Sequence, residues 1–425
     1  MNRHAALSVY LLTLGVFFTA TSELVVSGIL PQIAEDLTVS VASAGQLVTA
    51  FSLAFAIGTP IVTALTSRLD RRLVLTGSLL LFIAGCLASS FAPGYSFLLA
   101  CRVILGVSAG VYLVTSFGTA ARLVPPERLG RAIGTIIFGF SCSMILGVPI
   151  GITLTGWAGW RSIFLVLALA ALGVAAAMLR LFPSSAGETP VPFRQQLKVL
   201  GSLVIGTGLL FSLFRESGGS ILLTYLTSYL QDIYRMNPSG ISLFMLVLGL
   251  FGAAGSRLGG YGVDRWGPMR IMVFGVALNA AALALLPLFS GSRAAGLALI
   301  VLLMLLMFMT GPAVQAYFIQ QAPDSNGLVL SLNTSIIHLG LATGAGTGGW
   351  MINTASTVRF NPWLACLFVT AGLGAALWSF TLAKRAARRT SSPASASLQE
   401  KTDAPNQLTA GGGTGARDLS RDTPA

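Results

Sequence analysis

One carboxylate in this sequence lies inside a long apolar stretch. Glu23 sits near the middle of residues 17–32, FFTATSELVVSGILPQ, which are rich in Phe, Leu, Val and Ile. Thr19, Glu23 and Ser27 recur every four residues, so on a helix they share one face. A charge at lipid depth costs roughly 2.5–3.5 kcal/mol on insertion scales, so such a group is a functional candidate by default. We predict that Glu23 exchanges protons and that Thr19 and Ser27 line a substrate path.

Four more ionisable side chains fall well inside predicted membrane spans: Arg102, Arg215, Glu216 and His338. Glu23 is seven residues from the outer end of its span, and Arg102 is five residues from the start of its own. At a rise of about 1.5 Å per residue, both lie roughly 8–10 Å below the outer surface. We therefore predict an ion pair between Glu23 and Arg102 that breaks and re-forms as Glu23 binds and releases protons. The alternative is a static pair that fixes helix packing.

Arg215 and Glu216 are neighbours in the predicted seventh span. Consecutive helical side chains diverge by about 100°, so we predict that one faces a cavity and the other a neighbouring helix. The alternative is a structural pair in packed protein. His338 is predicted to titrate, because histidine changes charge near neutral pH, with hydrogen-bonded packing as the alternative. Further polar groups at lipid depth are candidates for the substrate path: Tyr225, Asn279, Gln315 and Asn333.

The composition is that of a membrane protein. The 425 residues are 54% hydrophobic and only 9% charged, whereas an average soluble domain is about 25% charged. A helix needs about 20 apolar residues to cross the hydrocarbon core, and runs of this kind recur along the chain. The sequence predicts an all-α polytopic membrane protein with twelve spans.

The net charge of +12 is unevenly distributed. Seventeen of the 26 Lys and Arg residues fall in alternate loops and the adjoining helix ends, and four fall in the opposite loops. This bias follows the positive-inside rule and predicts that both termini are cytoplasmic. No basic run is interleaved with aromatic residues, so we expect no nucleic-acid partner.

The chain divides into two similar halves. We predict a six-helix bundle over residues 1–181, a cytoplasmic linker with an amphipathic helix over 182–202, a second six-helix bundle over 203–383, and a disordered cytoplasmic tail over 384–425. The pairs Asp70-Arg71 and Asp264-Arg265 lie 194 residues apart, and the same offset carries Glu23 to the position after Glu216. Parallel repeats around a site at the midplane are one plan of secondary transporters, which predicts two pseudo-symmetric bundles around a central cavity.

Small residues indicate close helix contacts. Gly106 and Gly110 form a small-x-x-x-small pattern. Gly147, Pro149 and Gly151 predict a bent, thin helix that rocks on a neighbour. No metal-ligand cluster, phosphate loop or nucleophile–base arrangement stands out, so we expect no metal, no cofactor and no enzymatic activity.

Several motifs resemble the twelve-span drug:proton antiporter branch of the major facilitator superfamily. Residues 64–75, ALTSRLDRRLVL, are similar to its inner-loop signature, and residues 259–270 are similar to its second copy. Arg102 with its two glycines is similar to the span-four arginine motif, and residues 146–151, LGVPIG, to the antiporter motif. The resemblance implies that Arg102 takes part in proton coupling. We assign an inner gate to Asp70, Arg71, Arg72, Asp264 and Arg265.

Longer segments resemble bacterial purine base and nucleoside efflux pumps. They include ELVVSGILPQIAEDL, VASAGQLVTAF and APDSNGLVLSLNTS. The resemblance implies a monomer of the bacterial cytoplasmic membrane that exports a purine-type metabolite in exchange for protons by alternating access. Phenicol-type multidrug exporters and arabinose-type sugar exporters share much of the pattern and are the alternatives. A membrane receptor or an intramembrane enzyme is the alternative of another class, disfavoured by the repeated Asp-Arg turns.

Overall fold

The structure is a computed structural model that describes residues 3–124, 129–182, 201–322 and 326–390. Within these ranges the chain is helical, and none of the described residues forms a strand. The helices of the first half are α1 (Arg3–Gly28), α2 (Leu30–Asp36), α3 (Val41–Leu65), α4 (Arg71–Ser90), α5 (Tyr95–Leu123), α6 (Leu129–Cys142), α7 (Val148–Ala158) and α8 (Arg161–Leu181).

The second half repeats this plan. Its helices are α9 (Leu203–Leu223), α10 (Leu226–Asp232), α11 (Pro238–Trp266), α12 (Pro268–Leu285), α13 (Arg293–Gln321), α14 (Asn326–Ala355) and α15 (Asn361–Thr390). Short 3₁₀ turns at Leu286–Phe289 and Val358–Phe360 precede α13 and α15.

Eleven helical segments in the described ranges are long and apolar enough to cross a membrane. The remaining predicted span, residues 203–230, is divided in the structure into α9 and α10 by Thr224 and Tyr225. Its apolar character is diluted by Arg215 and Glu216. The predicted fold class, an all-α polytopic membrane protein built from two six-helix halves, is confirmed.

Several helices begin at side chains that cap a free backbone N–H. Ser40 caps α3, Asp70 caps α4 and Asn237 caps α11, each by accepting a hydrogen bond from the first turn. Such caps stabilise a helix by about 1 kcal/mol each, because the first N–H groups of a helix have no partner within it. The caps fix where these spans start.

By its contacts the chain divides into Met1–Ser379 and Phe380–Ala425. Within the first unit the two halves use the same helix pairs: α3 packs on α5 as α11 packs on α13, and α1 packs on α6 as α9 packs on α14. The halves meet where α3 lies along α14 and where α7 lies along α11. His338, described below, lies at the first of these contacts, and Glu23 on α1 lies close to it.

One span is locally distorted. Between α6 and α7 the chain forms a π-helical turn at Ser143–Gly147, and Pro149 lies in the first turn of α7. Proline lacks a backbone N–H and clashes with the preceding turn, and a π-turn is one of the known ways to absorb this. A π-helical turn therefore lies where the sequence predicts a bent helix, and the bend itself stays a prediction.

The second unit continues α15 to Thr390, seven residues into the segment predicted to be disordered. The run of Ala, Lys and Arg at residues 383–389 consists of good helix formers. The prediction of disorder from residue 384 onward did not take this into account. The predicted amphipathic helix of the linker and the rest of the tail, 391–425, lie outside the described residues.

Candidate functional site

Glu23 is buried at the contact between the two halves. It lies on α1 of the first half and is only 8% exposed. Its Oε1 is 3.7 Å from Nδ1 of His338, on α14 of the second half. This distance is too long for a hydrogen bond, and opposite charges attract across it only when the imidazole is protonated. A change of proton occupancy at Glu23 therefore alters the surroundings of a side chain that belongs to the other half.

His338 is held by an aromatic stack. Its ring lies 3.5 Å from the ring centroid of Phe55 on α3, with an interplanar angle of 14°. The side chain is 5% exposed, and Nδ1 has no hydrogen-bond partner. His338 thus belongs to the second half but packs against two helices of the first, α1 and α3.

Arg102 does not make the predicted ion pair with Glu23. Its Nη1 donates to the carbonyl of Ser22 at 3.0 Å, and its Nε donates to the carbonyl of Leu47 at 3.2 Å. The guanidinium also lies 4.3 Å from the ring centroid of Phe51 and is fully buried. The planar fork binds one carbonyl from α1 and one from α3, and these two hydrogen bonds orient it away from the carboxylate.

The Arg102 charge nevertheless lies beside Glu23, since Ser22 is the preceding residue of α1. Nη2 of Arg102 has no hydrogen-bond partner, although it is buried. An unpaired donor on a buried cation is costly, so this side of the guanidinium favours any acceptor that reaches it. The arrangement places one fixed positive charge next to one carboxylate.

Glycines allow α5 to approach α3 closely enough for Arg102 to reach Leu47. A Cβ on Gly106 would overlap the carbonyl oxygen of Phe51, and a Cβ on Gly110 would overlap the hydroxyl of Thr59. Such small-residue contacts are typical of membrane helix pairs.

A second set of glycines packs against α1. A Cβ on Gly147 would overlap the side chain of Thr21, and a Cβ on Gly151 would overlap that of Val25. These two α1 residues lie on either side of Glu23 in the sequence. Between the two glycines, the carbonyl of Pro149 accepts a hydrogen bond of 2.9 Å from Ser242 on α11 of the second half.

Arg215 and Glu216 form an ion pair with each other. Arg215 also lines a small cavity within the second half, and Glu216 packs against Gly340 of α14. The long Arg215 side chain folds back to its neighbour and also donates to Thr310 Oγ1 at 2.8 Å and to the Met307 carbonyl at 2.7 Å. Both of these partners lie on α13. The pair is neutralised inside the second half, as the structural alternative predicts.

The other predicted path residues have different environments. Thr19 donates to carbonyls of its own helix, and Asn279 donates to the Leu303 carbonyl at 3.1 Å. Gln315 is exposed, and Asn333 is buried with Oδ1 unpartnered. Ser27 lines a cavity between the halves, and Asn279 lines two smaller cavities within the second half.

Tyr225 lies at the break between α9 and α10 and is 1% exposed. Its hydroxyl donates to the Ala345 carbonyl on α14 at 2.7 Å. A Cβ on Gly45 of α3 or on Gly349 of α14 would overlap this hydroxyl. The phenol therefore occupies a slot whose walls come from both halves.

The predicted inner-gate residues lie at two helix junctions. Asp70 accepts the N–H of Arg72 at 2.7 Å as the cap of α4, and Arg71 is buried. In the second half, Asp264 lies in the last turns of α11, and Arg265 donates to the Tyr261 hydroxyl at 2.9 Å. This contact gives Asp70 a structural role as a helix cap, and its predicted role in an inner gate stays a prediction.

Sequence reasoning missed three contacts. Phe55, which stacks on His338, reads as one more apolar residue of a span. Thr227 donates to the Gly28 carbonyl at 3.1 Å across the two halves, and no local pattern signals this. Asp36 is the last residue of α2, in a stretch where the sequence shows no nearby base.

Asp36 is bound by the turn before α8. Arg161 forms an ion pair with it, and the Trp160 indole donates to it at 3.0 Å. These two hydrogen bonds hold the pKa of Asp36 below its ordinary value. The Gly-Trp-Arg sequence at 159–161 can be recognised in the sequence, but nothing in the sequence identifies Asp36 as its partner.

No group of three or more His, Cys, Asp or Glu side chains in the described ranges is placed to hold a metal ion. Two six-helix halves that meet around buried ionisable side chains define a membrane transporter. The chain belongs to the Major Facilitator Superfamily, whose family model matches residues 12–345. This is a family of transporters and not a class of enzymes.

Known proteins agree with this assignment. The chain is 36% identical to the uncharacterized MFS-type transporter YbcL of Bacillus subtilis, over 88% of this chain and 95% of the relative. It is 28% identical to a chloramphenicol resistance protein of Streptomyces lividans, over 80% of this chain and 87% of the relative. The fold matches the crystal structure of a D-xylose-proton symporter with a TM-score of 0.75 and 17% identity, over 88% of this chain and 97% of that chain.

Proposed function

We propose that this protein is a proton-coupled antiporter that exports a small molecule by alternating access. The observation that carries the proposal is the approach of Glu23 on α1 to His338 on α14 across the two halves. Coupling requires that a proton favour one conformation over another by a finite free energy. A carboxylate buried between the halves meets this requirement, because separating them changes both its solvation and its partner.

In this mechanism Glu23 is the protonation site. Ionised Glu23 is attracted to Arg102 and, when the imidazole is protonated, to His338. Protonated Glu23 loses both attractions, and the contact between α1 and α14 weakens. Proton binding from one side and release to the other thereby alternate with opening of the two halves.

The substrate is proposed to be a purine base or nucleoside, which the sequence resemblance supports. A phenicol-type drug is the second candidate, supported by the similarity to the chloramphenicol resistance protein. An arabinose-type sugar is the third. The distribution of basic residues supports a bacterial cytoplasmic-membrane location with both termini inside, and we expect a monomer.

The test is transport by inside-out vesicles or proteoliposomes with an imposed pH gradient. Labelled adenine, adenosine, chloramphenicol and arabinose are offered separately, with and without a protonophore. We expect uphill accumulation of one of them that the protonophore abolishes. Downhill flux alone, insensitive to the gradient, would contradict proton coupling.

The variant Glu23→Gln keeps the shape of the side chain but cannot ionise. We expect it to lose uphill transport while still exchanging labelled for unlabelled substrate. Glu35→Gln is the matched control, because Glu35 is exposed on α2. Full uphill transport by Glu23→Gln would remove Glu23 from the mechanism.

A further inference from the structure

A cavity of about 80 Å³ lies between the two halves. In the first half α1, the π-turn and α7 contribute to its wall, and in the second half α9, α10, α11 and α13 do. Because it lies between elements that must move apart, its shape differs between the conformations of the transport cycle. A ligand held here therefore affects the equilibrium between them.

The lining of this cavity is almost entirely apolar. Among the described residues that form it, only Ser27 carries a polar side chain. Three methionines line it, and each comes from a different element: Met144 from the π-turn, Met245 from α11 and Met304 from α13. Methionine thioethers make favourable contacts with aromatic rings, and their unbranched side chains adapt to ligands of different shape.

The cavity lies next to the protonation site but on another face of α1. Leu24 lines the cavity and directly follows Glu23. Consecutive side chains on a helix diverge by about 100°, so the carboxylate and the cavity occupy adjacent faces of the same helix. A movement of α1 changes both sites together without direct contact between ligand and proton.

We infer that this cavity binds a planar, uncharged aromatic ring of the exported molecule, in contact with the three methionines. The inference rests on the proposed function and narrows its substrate class. A charged ligand would lack a counter-charge in this lining. A sugar would lose hydrogen bonds to water at most of its hydroxyls and regain few, since Ser27 supplies a single hydroxyl.

The volume sets a further condition. A cavity of about 150 Å³ lined by apolar side chains holds benzene, so a space of 80 Å³ must widen to admit a ring. Rotation of the three methionines provides this room. Purine bases and substituted benzenes share the required ring and differ in the number of polar groups around it.

Binding to the purified full-length protein tests the inference without any gradient. Labelled chloramphenicol, which carries a benzene ring, and labelled adenine represent the two ring sources, and labelled arabinose is the ringless comparison. We expect saturable binding of at least one aromatic probe and none of arabinose at the same concentration. Binding of arabinose alone would overturn the inference.

Variants at one methionine locate the binding. Met245→Gln keeps the length of the side chain but adds an amide, and we expect it to weaken binding of the aromatic probe about tenfold or more. Met245→Leu keeps an apolar side chain, and we expect a loss of only about two- to threefold. Met351→Gln is the control, because Met351 lies on α14 outside the cavity lining. Equal affinities in all three variants, with unchanged thermal unfolding, would overturn the inference.

The two proposals fail differently. Proton-driven export of a sugar that Met245→Gln leaves unchanged would uphold the antiporter and overturn the aromatic site. Aromatic binding that is lost in Met245→Gln, in a protein without gradient-driven flux, would uphold the site and overturn the antiporter.

Discussion

Glu23 and Glu216 occupy nearly equivalent places in the first helix of each half, but their surroundings differ. Glu23 lies beside Arg102 of its own half and has a second ionisable neighbour, His338, on a helix of the other half. Glu216 is paired with Arg215, the adjacent residue of its own helix, and Arg215 is anchored to α13 in the same half. A pair closed within one half keeps its partner when the halves separate, whereas Glu23 loses the neighbour that lies across the contact. We therefore expect the two carboxylates to differ in function although their positions are nearly equivalent.

The largest effect in this comparison is expected from Glu216→Gln. It leaves Arg215 without its counter-charge among side chains that are only about one-tenth exposed. Breaking a buried pair on one side costs about 3–5 kcal/mol, and we expect the lower end because Gln still offers an oxygen to Arg215. Thermal unfolding of the purified protein should show the loss, while the remaining folded protein still pumps uphill. Glu23→Gln should show the reverse, with transport lost and stability little changed.

The opposite result would break the comparison. If Glu216→Gln abolished proton coupling without a loss of stability, the two carboxylates would share one role and the repeat would be functional in both halves.

Substitutions of Arg102 test whether the positive charge beside Glu23 contributes to proton coupling. Arg102→Lys keeps the charge near Glu23, but a lysine ammonium cannot reproduce the fork that binds the Ser22 and Leu47 carbonyls together. We expect uphill transport to fall about tenfold in Arg102→Lys and to vanish in Arg102→Ala, measured as gradient-driven accumulation in vesicles. Unchanged transport by Arg102→Ala would assign this arginine to helix packing alone.

His338 tests whether charge or packing joins the halves. His338→Phe keeps an aromatic ring against Phe55 and removes the titratable group. We expect uphill accumulation to fall by roughly three- to tenfold and its dependence on pH to flatten, with thermal stability maintained. His338→Ala, which removes the ring as well, should in addition lower the unfolding temperature. An unaltered pH profile in His338→Phe would show that stacking is the whole role of this residue.

The smallest effect is expected at Asp36, where an ion pair is exposed. The pKa of Asp36 lies below its ordinary value of 3.8 in the folded protein. Its contribution to stability is thus complete above that ordinary pKa and is lost as the pH falls through the lower folded one. Both side chains are more than a third exposed, so Asp36→Asn should cost no more than about 1 kcal/mol at neutral pH.

The measurement is the unfolding temperature of Asp36→Asn against the parent protein from pH 7 to pH 3. The difference should shrink toward the acid end, and Glu35→Gln should show none. A difference that grows on acidification would contradict the assigned pairing.

The sequence predicts the spans and much less of the site. Span positions follow from runs of apolar residues, which depend only on local composition. The ion pair expected between Glu23 and Arg102 rested on equal depth in the membrane, and depth does not decide which carbonyls a guanidinium meets. Glu23 and His338 are over 300 positions apart in the sequence. Their approach depends on how the two halves pack together, which no local pattern contains. Helical spacing could not decide between divergent surroundings and a pair for Arg215 and Glu216, because it describes Cβ directions and not the reach of a long side chain.

The tyrosine at the break between α9 and α10 has a mechanical consequence. Its phenol is enclosed by Gly45 on one side of the seam and Gly349 on the other, and its hydroxyl is bonded to Ala345. Ala345 and Gly349 belong to the same half as Tyr225, and only Gly45 belongs to the other half. Parting α3 from α14 therefore exposes the phenol on its Gly45 side, while the hydrogen bond to Ala345 can persist. The absence of a side chain at Gly45 is what lets α3 close over this hydroxyl.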